Sequence, residues 1–361
     1  MKGRGLALVS FLVVATACAA GRAVLVTDAQ AKPVQATIAS PGTTATARST
    51  TTSSEEPGAV LPGEPWLVFR WYPGALHLVR PDGTDRRVLD IGVSGEATAP
   101  TWSPDGNQIA FVVKDAAWPD GSIWTADPNG ANAAAFYDGN GDCTSTFHPV
   151  WSPDGQRLSF TCYHDDRQPG SSSVAILDVT TMTSTEIATF EWPEFIDIPA
   201  NWSPDGEMLA FSVITWDPTD TFVAGSVVAA VPSAGGTVER LTAPDLFGAH
   251  PDWSPDGSLL VFNTYDTGQM HGIQEPSNLY TIAPDGTGLR QVTTVSVDGT
   301  MRLGQPFWAT HGSGIWVSVA RDYEKDSHGW PKNTLGWVDA VTGEFRDLGV
   351  EGKGFRERPT G

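Results

Sequence analysis

Short apolar runs recur along most of the chain, and between them stand clusters of Gly, Pro, Asp and Asn. TWSPDGNQIAFVV, from Thr101, shows the pattern: a Trp, a tight polar turn, then a run rich in β-branched and aromatic residues. Apolar stripes at helical spacing are scarce. Short runs bounded by turn formers predict β-strands joined by tight turns.

The unit repeats. VWSPDGQRLSF, NWSPDGEMLAF and DWSPDGSLLVF follow it, so that Trp102, Trp151, Trp202 and Trp253 stand 49, 51 and 51 residues apart. A degenerate copy, FWATHGSGIWVSV, places Trp308 next in the series, and WLVFRW from Trp66 matches the strand after each motif. That makes six units. Each reads as four strands: A carries the Trp, B the run after SPDG, and C and D are joined by turns such as PDG, PNG or AGG. Six such units predict an all-β fold, a six-bladed β-propeller of four-stranded antiparallel blades. In Ser-Pro-Asp-Gly, Pro presets φ, Asp bonds back to the local backbone and Gly accepts positive φ. The Trp is large enough to pack between blades. Asp105, Asp154, Asp205 and Asp256 are therefore expected to be structural.

The signature, read here as APTWSPDG, HPVWSPDG, PANWSPDG and HPDWSPDG, resembles that of the TolB-type, WD40-like propeller family over residues from about 65 to 350. The resemblance implies the propeller and leaves its use open, because one fold hosts many functions. No G-x-S-x-G nucleophile elbow occurs in the chain. A propeller acting as a binding platform is the expectation.

Composition narrows the partner. The formal net charge is −20, which repels nucleic-acid phosphates. The N-terminus reads as an export signal over residues 1–18: Lys2 and Arg4, an apolar Leu6–Val14, then Ala15-Thr16-Ala17-Cys18. The last four residues resemble a lipobox, which makes Cys18 the lipidation residue; plain secretion with cleavage after Ala17 is the alternative. Residues 19–64, rich in Thr, Ser and Pro, read as a disordered tether, and residues 65–358 as the propeller. The expected place is extracytoplasmic, at a bacterial cell envelope. The only expected membrane contact is the lipid anchor, and the expected state is monomeric.

Strand direction puts the SPDG and C–D turns on one face and the longer B–C and D–A loops on the other. Binding residues concentrate on long loops of rigid scaffolds. The long-loop face collects Trp71, Trp118, Trp192, Trp216 and Trp330, together with His164, His271 and His328. These Trp either cover their own loops or form an aromatic platform for a glycan or peptide. His148 and His250 share one repeat position, just before the Pro of strand A, where Gln305 stands in the last unit and Ala99 and Pro199 in two others. The two His and Gln305 resemble the metal site of propeller-type oligogalacturonate lyases. No Cys/His ligand spacing supports a metal, and no cofactor is expected. The reading is a non-catalytic platform for an envelope protein or polysaccharide. A polysaccharide-active lyase or hydrolase with its site in the central pocket, and a purely structural envelope component, are the alternatives.

Two further expectations concern covalent and chain closure. Cys143 and Cys162, brought together by the A–B hairpin of the third unit, are expected to form a disulfide. The first unit has no strand A of its own, so the tail after Gly352 is expected to supply it, with Phe355 in place of the missing Trp.

Overall fold

Six antiparallel blades form the propeller, and in blades 2, 3, 5 and 6 the four strands lie in sequential order across the blade. The computed structural model describes residues 60–359 other than 62, 72–73, 115–120, 140–142, 165–169, 198, 218, 220–221, 265–276, 295–300 and 326–330; of 322–325 and 331 it describes the backbone alone. Trp118, Trp330, His271, His328 and Cys18 lie outside the described residues, as do the proposed signal and nearly all of the tether.

The strands nearest the axis are Glu96–Trp102, Ser145–Trp151, Gly248–Trp253 and Met301–Trp308 in blades 2, 3, 5 and 6. In blade 4 the inner strand is split into Glu194–Ile196 and Asn201–Trp202. Blade 1 takes its inner strand, Lys353–Glu357, from the end of the chain; it pairs antiparallel with Leu67–Trp71. The ring is thus closed by strands from both ends, which removes an exposed sheet edge. Phe355 is fully buried and stacks on Phe69 with centroids 4.7 Å apart.

Phe355 does not, however, take the place of the missing Trp. Strand register decides this: Leu67 pairs with Glu357, as Ile109 pairs with Trp102 and Leu260 with Trp253. Glu357 occupies the Trp position, and Phe355 the position of Pro251. Elsewhere the Trp links neighbouring blades. The indole N–H of Trp102, Trp202 and Trp253 donates to the carbonyl of Arg356, Val150 and Asn201 in the blade before (3.1–3.2 Å). Glu357 makes the same link with reversed polarity, accepting from the Thr310 amide and the Trp316 indole of blade 6 (2.9 and 3.3 Å).

Each SPDG turn is closed by its own side chains. The Ser hydroxyl donates to the Asp carboxylate (2.5–2.6 Å), and that carboxylate accepts the amide two residues on (3.0 Å). The Ser oxygen in turn accepts the amide five residues on (2.9 Å). The Gly has a second use that sequence reasoning missed. A Cβ at Gly155 would stand 3.3 Å from Pro104, and one at Gly257 3.6 Å from Pro204. Pro of one turn thus rests on Gly of the next around the ring. At the seam, Arg358 and Pro359 crowd Gly106 in the same way. Arg358 is fully buried; it donates to the carbonyls of Gly106 (2.8 Å) and Leu61 (2.6 Å).

Candidate functional site

The inner strands carry a β-bulge just before the Trp, and one residue of each bulge takes positive φ: Ala99 (50°), His148 (53°), His250 (55°), Gln305 (49°) and Gly354 (64°). Non-Gly residues adopt this region at a cost, so the repeated bulge is a designed feature of the scaffold. In blade 4 the matched residue is Pro199, whose ring holds φ near −65°. It cannot take the bulge conformation, and there the inner strand breaks in two.

This geometry brings His148, His250 and Gln305 to equivalent places on three inner strands, as their shared repeat position implies. The structure adds residues the sequence reading missed. Arg356, from the tail strand, and Asp252, from blade 5, occupy the position two residues on. Arg356, His148, His250 and Asp252 come from blades 1, 3 and 5 and lie within electrostatic reach of one another. The Arg356 guanidinium lies 5.3 Å from the Phe307 ring centroid and donates to the Phe355 carbonyl (2.9 Å). Among the described residues it makes no ion pair.

The charge states follow from burial. Burial first, then the Arg356 and Lys114 charges, pushes His148 down to about 4. Burial pushes His250 down to about 3; its hydrogen bond to Asn263 (2.7 Å) opposes this, while Arg356 and His148 add to it. Both imidazoles are neutral at pH 7. His148 Nδ1 is buried without a hydrogen-bond partner. Burial raises Asp252 to about 6 against the pull of Arg356; its carboxylate accepts from the Trp308 amide (2.8 Å). At pH 7 the channel therefore presents a guanidinium, the Asp252 carboxylate and neutral imidazoles inside a strongly acidic protein. The fixed Arg356 charge opposes a metal ion beside these histidines and favours an anionic group. Toward the turn face, Asp252, Asn201, Thr101 and the Trp102, Trp151 and Trp202 rings line a cavity of about 200 Å³.

Among the described residues, the long-loop candidates do not converge. Trp192 and Trp216 pack with Phe195, Ile214 and Val223 at the end of blade 4, covering that blade. Trp71 lies on blade 1 with the Arg86 guanidinium 3.9 Å above its ring. His164 is 1% exposed and faces Glu186 within its own blade, so it does not belong to an exposed binding face. Cys143 and Cys162 are joined in a disulfide, with Cα atoms 5.4 Å apart.

No curated protein matches the chain. Among solved structures, TolB from Acinetobacter baumannii is 19% identical with a TM-score of 0.55, over 82% of this chain; the chain spans only 65% of that protein's length. A putative TolB from Agrobacterium tumefaciens is 18% identical, TM-score 0.55, over 81% of this chain and 91% of that one. An oligogalacturonate lyase from Vibrio parahaemolyticus is 13% identical, TM-score 0.52, over 81% and 80%. At such identities these likenesses speak for the fold alone. The family profile of the TolB beta propeller domain matches residues 120–326, more than half of the chain. With this match and its six blades, the chain belongs to the TolB beta propeller domain family.

Proposed function

We propose that the protein is an exported, lipid-anchored propeller that binds an envelope protein or polysaccharide at the bacterial cell envelope without catalysing a reaction, and that the ligand offers an anionic group to the central channel. The observation that carries this reading is Arg356, a half-buried guanidinium in the channel that makes no direct ion pair among the described residues and feels only the nearby Asp252 charge. Desolvating such a charge is costly, Asp252 offsets that cost only in part, and a ligand anion relieves more of it. The unpartnered His148 Nδ1 supports the same use. The four repeat aspartates are engaged in their turns, so they do not supply general acids or bases. The disulfide fits an oxidising compartment, and the Lys2–Cys18 segment supplies the export signal and the Cys18 anchor.

The test compares the parent with Arg356→Met as bait against solubilised native envelope, after both show the same melting temperature. An envelope component retained by the parent and released by the variant supports the reading. Equal retention overturns the channel as the binding site. Stoichiometric metal in the disulfide-bonded protein, or cleavage in a polyuronate screen, overturns the non-catalytic assignment.

A further inference from the structure

Blade 3 holds a cluster that the channel does not involve. Cys162 and His164 are two residues apart on Arg157–His164 and so share one face of the sheet. Glu186 reaches the same face from Thr183–Glu191, two strands over. The Cys162 sulfur lies 3.3 Å from His164 Nε2, and His164 Nε2 lies 3.1 Å from Glu186 Oε1. The three ligand atoms all stand within 4.8 Å of one another. Around a tetrahedral zinc with bonds of about 2.0–2.3 Å, ligand atoms stand roughly 3.3–3.8 Å apart. The cluster therefore already approaches the spacing of a zinc site.

A second shell is present too. The Ser173 hydroxyl and the Thr189 hydroxyl both donate to Glu186 Oε2 (2.7 and 3.1 Å), which turns Oε1 toward the imidazole. Such outer hydrogen bonds orient a ligating carboxylate. Cys162 and His164 are buried, while the Glu186 side chain is 29% exposed, so an ion has a path inward along the carboxylate. What blocks the site is the disulfide, since the thiolate and not the disulfide sulfur is the metal ligand.

We propose that this cluster is a thiol-gated zinc site: reduction of Cys143–Cys162 frees two thiolates that, with His164 and Glu186, hold one Zn²⁺. The reductant is a dithiol. Its two sulfurs give up two electrons and two protons and close into a disulfide, while the Cys143–Cys162 bond breaks to two thiols. On binding, each thiol releases its proton to solvent, and His164 ligates through Nε2 with its remaining proton on Nδ1. The metal takes the place of any proton held between His164 Nε2 and Glu186 Oε1; that proton leaves to solvent from an imidazolium, or moves to Nδ1 in a neutral ring. Two thiolates, an imidazole and a carboxylate make a four-ligand set suited to Zn²⁺ over Mg²⁺ or Ca²⁺.

Co²⁺ serves as the spectroscopic probe, added to metal-free protein before and after dithiothreitol reduction and removal of excess thiol. One equivalent should bind the reduced protein, with thiolate-to-cobalt charge-transfer bands and tetrahedral d–d bands. The oxidised protein should show neither. Zn²⁺ should displace the cobalt and raise the melting temperature of the reduced form only. His164→Ala and Glu186→Gln should weaken binding by at least tenfold while leaving the oxidised protein folded. Equal binding by oxidised protein, bands unchanged in both variants, or no bands overturns the proposal. A reduced chain that unfolds and does not refold with Zn²⁺ overturns it as well.

Discussion

Asp256 and Asp252 flank the same Trp-Ser-Pro segment, yet their carboxyls are held in opposite ways. In the turn, Ser254 and then the Ser258 amide and hydroxyl hold Asp256 down at about 2. In the channel, burial holds Asp252 up at about 6 even with Arg356 nearby. The contrast extends around the ring. The turn aspartates are small and exposed, and each is bonded to the buried Ser and the backbone of its own turn. Channel groups are larger and half-buried, and leave a polar atom unbonded, the His148 Nδ1. A network whose bonds are all made within the chain holds a scaffold together; one with bonds left to make is where a ligand gains most.

The tail belongs to both rings, so its removal is the largest test of that division. Deleting residues 351–361 takes Arg356 from the channel, Arg358 and Pro359 from the turn ring and Phe355 from the core. Loss of Phe355 alone is worth about 3–5 kcal/mol. The truncated chain should melt at least about 10 °C lower and aggregate, as read by calorimetry and light scattering. A truncated protein that melts like the parent would mean the seam strand is dispensable.

Arg358→Met separates the turn ring from the strand. The side chain keeps its bulk, but the Gly106 and Leu61 carbonyls lose a buried donor. A loss of about 2–3 kcal/mol is expected in urea unfolding, with anion or partner binding by the channel unchanged. A variant equally defective in binding would show that the two rings are not independent.

Much of the turn ring was legible, because SPDG has one conformation that serves all its residues and it recurs at nearly constant spacing. The channel was legible only in part. His148, His250 and Gln305 share a position, but none is a residue type that announces positive φ. Arg356 was missed because the tail lacks the Trp and Ser that identify a repeat. A signal was present: GFRERPTG aligns position by position with HPDWSPDG, from Gly354 on His250 to Gly361 on Gly257. That alignment puts Glu357 at the Trp position and Arg356 opposite Asp252. Which of the two readings of the long-loop Trp residues holds for Trp71, Trp192 and Trp216 was not legible for a different reason. Their sequence motif is local, while their packing against Phe195 or Arg86 is set by neighbours distant in the chain.

Asp197→Asn tests whether buried carboxyls limit stability. Burial alone raises Asp197 to about 7. Its folded pKa lies above the unfolded value, so its contribution is fully present below about pH 4 and is lost as pH rises toward 7. At pH 8 the folded state holds a buried charge that the unfolded chain does not. The Asn variant should be more stable by about 2 kcal/mol at pH 8, and the difference should vanish near pH 4. A gain of the same size at both pH values would mean that packing, and not ionisation, is responsible.

Asp105→Ala makes the mirror-image test in the turn ring. The Ser103 hydroxyl, then the Asn107 amide and side chain, hold Asp105 below the usual carboxylate range. A depressed acid contributes stability above its unfolded pKa and loses it as pH falls through the folded value. The turn is largely exposed and screened by solvent, so the expected loss is small, about 1 kcal/mol at pH 7. As pH falls through the lowered folded value the parent is protonated at the same site, and the two proteins should converge. The pH trend is thus opposite to that of Asp197→Asn: the turn variant departs from the parent as pH rises by becoming less stable, the buried-acid variant by becoming more stable. Parallel melting curves from pH 3 to pH 8 distinguish the cases. If Asp105→Ala instead gains stability with rising pH, the turn carboxylates are a repulsive cluster in this acidic chain, and the Ser–Asp bonds do not hold the turn ring together.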